Sequence, residues 1–176
     1  MERELLLLGL LRNQEMHGYQ IAEFLDGHYG MFFELKKATA YHLLRKMEEK
    51  GLVSAREEQE GNRPPRRVYA ITDKGETVFQ ETLRESLAQF RPAAFPNNVA
   101  ILFLGALPSA EANELLEMRQ RRITELLEHV QDHTRAHESE ELDPPPLLIH
   151  RQKYLATELE WLGEVIDRLE SNGAQR

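Results

Sequence analysis

Apolar and polar positions alternate along the chain in rhythms that change from segment to segment, and each rhythm predicts an element. Residues 2–12 are apolar almost all the way round a helical wheel, with Leu5, Leu6, Leu7, Leu8, Leu10 and Leu11 interrupted by Gly9. Such a segment is a helix buried on most of its sides. His17, Gly18 and Tyr19 open a second helix, in which Tyr19, Ile21, Ala22, Phe24, Leu25 and Tyr29 mix core and flank positions. Gly27 and Gly30 close it.

In residues 36–50 the pattern sharpens. Ala40, Leu43, Leu44 and Met47 stand at i, i+3, i+4 and i+7, which makes one buried stripe on a helix turning about 100° per residue. The opposite face carries Ala38, His42, Arg45 and Glu49, with Thr39, Tyr41 and Lys46 on its shoulders. Gly51 suits the position just past a helix end. Two short strand candidates, 52–57 and 67–72, flank a connection over 59–65 that holds Gly61, Pro64 and Pro65 and cannot be regular structure. Thr72, Asp73, Lys74 and Gly75 form a turn and helix start, and an amphipathic helix follows over 76–90. The order helix, helix, helix, strand, loop, strand, helix predicts a winged helix-turn-helix with a two-stranded wing.

Pro92 and Pro96 interrupt the pattern, so a domain boundary is expected near 91–97, with a first domain over 1–91 and an all-helical second domain over 92–176. Residues 99–107 are a short apolar segment. Ser109 then caps a long helix, with Glu111 in its first turn, that runs to about 137. A polar loop ending in three prolines leads to a last helix over 147–171. There Leu155, Leu159, Leu162, Ile166 and Leu169 alternate steps of four and three, a seam of coiled-coil type, and Tyr154, Trp161 and Val165 widen it. These five seam residues are candidate dimerisation contacts. The seam could equally lie on the helix over 109–137, which offers Leu116, Ile123, Leu126, Leu127 and Val130, because periodicity identifies a stripe and not its partner. The fold class is mainly α.

Charge changes this picture. The chain is acidic, with 22 Lys+Arg against 30 Asp+Glu and a net charge of -8. Residues 1–75 carry 12 of each sign, so the whole imbalance lies in 76–176. Yet Lys36, Lys37, Arg45, Lys46 and Lys50 gather on one helical segment against only Glu48 and Glu49. A helix face bearing Thr39, Tyr41, His42, Arg45 and Lys46 is what a DNA major groove accepts, since Arg and Lys reach guanine edges while Tyr, Thr and Lys reach phosphates. The amino-terminal half of such a helix enters the groove, and here it holds Lys36 and Lys37. The wing repeats the pattern with Asn62, Arg63, Arg66 and Arg67. A solvated face alone would explain either cluster; two basic elements placed where a winged helix presents them to DNA favour binding. The alternative is a winged-helix protein-interaction module without DNA binding.

These residues also carry a resemblance. Leu8, Gly9, Leu10, Leu11, then His17, Gly18, Tyr19, Gln20, Ile21, then Thr39, Ala40, Tyr41 with Leu44, Met47, Glu48, Gly51, Leu52 and Val53 are similar to the PadR family of bacterial transcriptional regulators. Arg66, Arg67, Tyr69, Ile71, Thr72 and Gly75 resemble that family's second wing strand and the turn after it. The resemblance covers about residues 4–80; beyond it the chain is similar in layout to the subgroup with a helical carboxy-terminal domain. It implies a homodimer whose winged helices read a palindromic operator in double-stranded DNA, dimerisation through the carboxy-terminal helices, and a repressor released by a small molecule. By position it makes Thr39 and Tyr41 recognition-helix contacts and gives Arg66 and Arg67 to the wing. Lys36, Ala38 and His42 depart from the family pattern, so the helix start is expected to be poorly capped and the family's operator is not carried over. A dimer would set two winged helices about 34 Å apart. With four or five phosphates neutralised per subunit, log K should fall against log salt with a slope of about -7 to -9.

Other chemistry finds little support. Cysteine is absent, which excludes disulfides and thiolate catalysis, and no phosphate loop, GxGxxG, GxSxG or HExxH pattern occurs. No enzyme activity, cofactor or metal is expected. His129, His133 and His137 stand one turn apart, but the third has drifted by about 80° around the helix, and a solvated polar face is the simpler reading. Tyr154, Trp161 and Phe103, with Phe95, could line a pocket for a small aromatic effector. The apolar run in 5–11 is too short to span a membrane and lacks the flanks of a targeting segment. The expectation is a cytoplasmic protein.

Overall fold

The structure, a computed structural model, describes residues 1–26, 35–59, 66–90, 92, 98–136 and 146–173. It divides into two compact units, Met1–Pro92 and Ala93–Arg176.

In the first unit α1 (Glu2–Asn13) is followed by the two-residue β1 (Met16–His17), α2 (Gly18–Asp26) and α3 (Lys37–Glu49). Then come β2 (Val53–Glu58), β3 (Arg66–Ile71) and α4 (Asp73–Ala88). The strands form an antiparallel sheet in the order β1-β3-β2. β3 is central: Tyr69 lies opposite Ala55 on one side and Met16 on the other. β1 departs from the sequence expectation, which starts a helix at His17. Two residues carry no periodicity, and their extended state comes from pairing with β3.

The helices form where their stripes meet. Leu7, Leu8 and Leu11 of α1, Ile21 and Leu25 of α2, and Ala40, Leu44 and Met47 of α3 are buried together with Val53 and Tyr69. Each fully buried leucine contributes about 1.5–3 kcal/mol of transfer free energy. α3 ends as its glycine predicts. Gly51 takes φ +70°, its N–H donates to the Glu48 carbonyl (2.9 Å), and the Leu52 N–H donates to the Met47 carbonyl (2.8 Å), a Schellman closure.

Leu52 then anchors the next helix. Its carbonyl accepts from the Thr72 N–H (3.1 Å), while the Thr72 hydroxyl caps α4 by accepting from Gly75 N–H (3.0 Å). α4 therefore starts at Asp73, three residues before the expected 76. A Cβ at Gly75 would lie 2.0 Å from the Leu52 carbonyl oxygen, so this glycine is required by close approach rather than by a turn. On the other side Arg12 of α1 donates through Nε to both oxygens of Glu76 (2.8 and 3.0 Å).

In the second unit a short α5 (Asn98–Leu102) and a 3-10 turn (Leu104–Ala106) precede α6 (Ser109–Ala136) and α7 (Pro146–Gly173), each of 28 residues. The Pro108 carbonyl accepts from Ala112 N–H (3.0 Å), so the first helical bond starts one residue ahead of the expected Ser109 cap. α6 and α7 run antiparallel: Gln152 Nε2 donates to Thr134 Oγ1 (2.7 Å), while Leu116 packs with Leu162 and Ile166. Among the described residues no helix is long and apolar enough to cross a membrane.

Candidate nucleic-acid interface

α3 presents its polar face beside β3, and the start of α2 fills the angle between them. The result is an open cleft of about 820 Å³. Ala38, Tyr41 and Arg45 line it from α3, Arg66, Arg67 and Tyr69 from β3, and His17, Gly18 and Tyr19 from the β1–α2 junction. Helix and wing strand thus contribute basic side chains to one surface rather than to diverging ones. Lys36, Lys37, His42, Arg45 and Lys46 are exposed, and Thr39 and Tyr41 are half-buried. Asn62 and Arg63, expected at the wing tip, lie outside the described residues.

The cations divide into two groups. The side chains of Lys36, His42, Arg45 and Lys46 are tied to no other described residue by hydrogen bond or ion pair. Among the described residues Arg66 is held from its ring side, its guanidinium 5.2 Å from the Tyr19 ring centre. Lys37 and Arg67 already have carboxylate partners. Lys37 Nζ lies 2.5 Å from Asp26, whose hydrogen bond and charge push the ammonium pKa above its ordinary value. Arg67 Nη2 donates to both oxygens of Glu48 (2.8 and 2.9 Å). Lys50 faces elsewhere, 3.4 Å from Glu4 of α1.

The expected poor capping of α3 is visible: Lys36 occupies the N-cap position with no side-chain cap bond. The free N–H groups of that first turn, with the positive end of the helix dipole, add to the anion-attracting surface.

Sequence reasoning missed the cleft's third wall. His17 stacks on Tyr19 (ring centres 5.5 Å apart), and Tyr19 in turn backs Arg66. Gly18 lies under Tyr41, where a Cβ would be 2.5 Å from the ring, so the missing side chain seats the tyrosine. Tyr19, assigned a mixture of core and flank, is 44% exposed. The available signal was the pair of aromatic rings around a glycine, His17-Gly18-Tyr19, at the start of α2.

In the second unit the candidates divide differently. Leu155, Leu162 and Ile166 are buried within the chain, and Leu162 and Ile166 pack on Leu116 with Ile123, Trp161, Val165 and Leu169 around them. Leu159 is half-buried. Leu162 and Ile166 of the seam therefore face α6, which supplies the apolar partner that the heptad pattern alone left open. The three aromatic candidates do not converge. Phe103 lines a small apolar cavity of about 210 Å³ with Ile101, Leu104, Leu115 and Arg119. Trp161 lies in the helix-pair core with the Arg119 guanidinium 5.7 Å over its ring. Tyr154 is instead under Arg151 (5.8 Å). Arg119 is ion-paired with Glu158. The His129 and His133 rings meet edge to face at 4.8 Å, His137 lies outside the described residues, and among the described residues no group of three metal-ligating side chains occurs.

A three-helix core, a basic helix framed by a β-hairpin and a separate pair of long helices define a winged helix-turn-helix protein with a helical carboxy-terminal unit. Residues 7–81 match the Transcriptional regulator PadR-like family, and the chain carries a PadR-like transcriptional-regulator domain. The chain is 28% identical over 130 residues to the negative transcriptional regulator PadR of Bacillus subtilis (strain 168), covering 68% of each. It is 33% identical over 86 residues to the probable transcriptional regulator Rv1176c of Mycobacterium tuberculosis, covering 49% of this chain and 46% of that one. The fold is shared with Bacillus subtilis PadR in complex with operator DNA, at a TM-score of 0.79 and 20% identity, over 94% of this chain and 98% of that one. It is shared too with the same protein in complex with p-coumaric acid (TM-score 0.76, 19% identity, 95% and 98% covered). The PadR-like regulator BC1756 of Bacillus cereus gives a TM-score of 0.74 at 17% identity, with 97% and 99% covered.

Proposed function

We propose that this PadR-like regulator binds a palindromic operator as a homodimer and represses transcription until a small aromatic molecule releases it. It does so in the cytoplasm, as a binding protein and not as an enzyme. The observation that carries this is the placement of Arg45 and Tyr41 of α3 and Arg66 of β3 around one open cleft, with Lys36, His42 and Lys46 exposed on the same helix. In this reading α3 enters the major groove, Arg45 and Lys46 meet base edges and phosphates, Thr39, Tyr41 and His42 add polar contacts, and Arg66 reaches the neighbouring backbone. Asn62 and Arg63 extend the wing contact. Lys37 and Arg67 contribute less, because a phosphate must compete with the carboxylates they already hold.

Among the described residues the remaining cations, Lys36, Arg45, Lys46 and Arg66, number four per subunit. A dimer neutralising eight phosphates has a slope of log K against log salt of about -7. Fluorescence anisotropy with DNA from upstream of the protein's own gene, titrated in salt, tests this. Salt-insensitive or absent binding would defeat it.

The second unit supports dimerisation through a surface other than the seam. α5 and the first half of α6 expose Val99, Leu102, Phe103, Leu115 and Met118, and large apolar side chains exposed together mark interaction surfaces. The cavity beside Phe103 suits a single-ring effector, with Arg119 at its margin. The chain holds one tryptophan, and Trp161 stands against that same arginine. Occupation of the cavity by a phenolic acid should therefore change tryptophan emission and lower DNA affinity; flat titrations would remove the effector.

A further inference from the structure

We infer that Glu48 is a positioning residue of the DNA-binding surface: it grips Arg67 and so fixes the loop-proximal end of the β2–β3 ladder against α3. The inference rests on the DNA-binding reading above.

Glu48 is an anomaly on a surface meant for phosphate. It sits in the last turn of α3, on the cation-bearing helix, yet its carboxylate is turned to β3, where Arg67 Nη2 donates to both of its oxygens at 2.8 and 2.9 Å. The pair is partly shielded, with side chains 32% and 42% exposed. Arg67 is steadied from a second side, its guanidinium 5.6 Å from the Tyr69 ring centre. Tyr69 is itself 3% exposed and lies on the central strand, opposite Met16 of β1 and Ala55 of β2. So Arg67 reaches from the central strand to the recognition helix, with an immobile root and a bonded head.

The position of this link matters. The β2–β3 pairing ends at Glu58 opposite Arg66, with Glu57 opposite Arg67 next to it. Arg67 thus stands one pair from the loop end of the ladder, just past Val68, where β3 loses its β1 neighbour. A two-stranded ribbon twists freely, and each degree of freedom left in the wing must be frozen when it meets DNA, at a cost to affinity. A tie near the loop end of the ladder limits that freedom before binding.

Charge alone and the tie predict opposite signs for one substitution. If Glu48 is only an anion near DNA, its removal tightens binding, because phosphate repulsion disappears. If it holds the wing, its removal weakens binding. A partly exposed pair of this kind should be worth about a two- to five-fold change per subunit.

The test uses the full-length protein, DNA from upstream of its own gene, and anisotropy at several salt concentrations. Glu48→Ala and Arg67→Ala are each expected to weaken binding by about two- to five-fold per subunit without changing the salt slope, and the double variant is expected to be no worse than either single one. Glu48→Gln retains the shape and an acceptor oxygen and should recover most of the affinity. Melting curves show whether each variant is folded, and Glu48→Gln serves where Glu48→Ala is not. Tighter binding by Glu48→Ala or Glu48→Gln overturns the inference. So does a salt slope shallower by about one per subunit in Arg67→Ala, the mark of a direct phosphate contact. Salt-dependent binding by the unaltered protein separates these outcomes from failure of the DNA reading; its absence overturns both.

Discussion

The two units solve the problem of burying apolar surface in different ways. In the first, short helices and a small sheet close around a shared interior, and Leu7, Leu8, Ile21, Leu44, Met47 and Val53 are among the most fully buried side chains. In the second, two 28-residue helices lie side by side along a narrow seam, where Leu162 and Val130 are fully buried while Leu102 and Phe103 remain 76% and 64% exposed. A helix pair has one contact line and leaves most of each helix facing outward, whereas helices crossing a sheet enclose a volume. The first unit holds its fold with its own interior and can devote its surface to a ligand. The second has apolar surface left over, which is what a subunit interface requires.

That contrast is most strongly tested by matched truncations. Leu44→Ala and Leu162→Ala remove the same atoms from sites that are both 0% exposed, and each should cost about 2–5 kcal/mol. Melting of the Leu44→Ala protein should be independent of protein concentration. Melting of Leu162→Ala should rise with concentration, because the proposed dimer would stabilise the second unit by mass action. Identical concentration behaviour in both would erase the distinction.

Next in size is the apolar surface itself. Leu102→Asp places a charge on a residue 76% exposed, so it should leave secondary structure intact while weakening self-association by about ten-fold or more, as loss of an interface anchor does. Sedimentation equilibrium reads this directly; an unchanged dimer would move the interface elsewhere.

On the first unit Arg45→Ala should weaken DNA binding by roughly ten-fold and make the salt slope shallower by about one per subunit, with no loss of stability. Lys50→Ala is the companion, since its side chain is turned to Glu4, and it should change affinity far less.

The smallest effect is electrostatic. The hydrogen bond from Arg12 holds the Glu76 carboxyl below its ordinary pKa. A group with a depressed folded-state pKa stabilises above its ordinary value and loses that contribution as the pH falls through the depressed one. The melting temperature of Glu76→Gln should therefore lie slightly below that of the unaltered protein at neutral pH, and the gap should close in acid. No gap at neutral pH would mean that packing of Arg12 on Phe79, 5.7 Å from the ring centre, carries the link between α1 and α4.

Much of the first unit was legible because its signals are local. The stripe of Ala40, Leu44 and Met47 follows from helical period, and Gly51 marks the end of α3 because few other residues tolerate its φ. Thr72 was recognised as part of a helix start, but its hydrogen bond to Gly75 begins α4 earlier than the apolar pattern does. β1 left no trace, since two residues cannot display alternation. In the candidate interface Tyr41, Arg45 and Arg66 were found as cations and polar groups on a predicted face. Tyr19 and Glu48 were not, because their roles depend on where the hairpin's register places Arg66 and Arg67. The heptad in α7 was read correctly as a stripe, and only the packing of Leu162 and Ile166 on Leu116 assigned it to α6.

Sequence alone determined which residues prefer the interior, where α3 ends, and that positive charge is concentrated on one helix and one wing. These properties depend on side-chain chemistry and on neighbours within one or two turns. Tertiary structure decided which stripe meets which, which cations are already satisfied by carboxylates, and which glycines make room for a carbonyl or a ring. Those outcomes depend on distances between residues far apart in the chain, and such distances exist only once the backbone has closed.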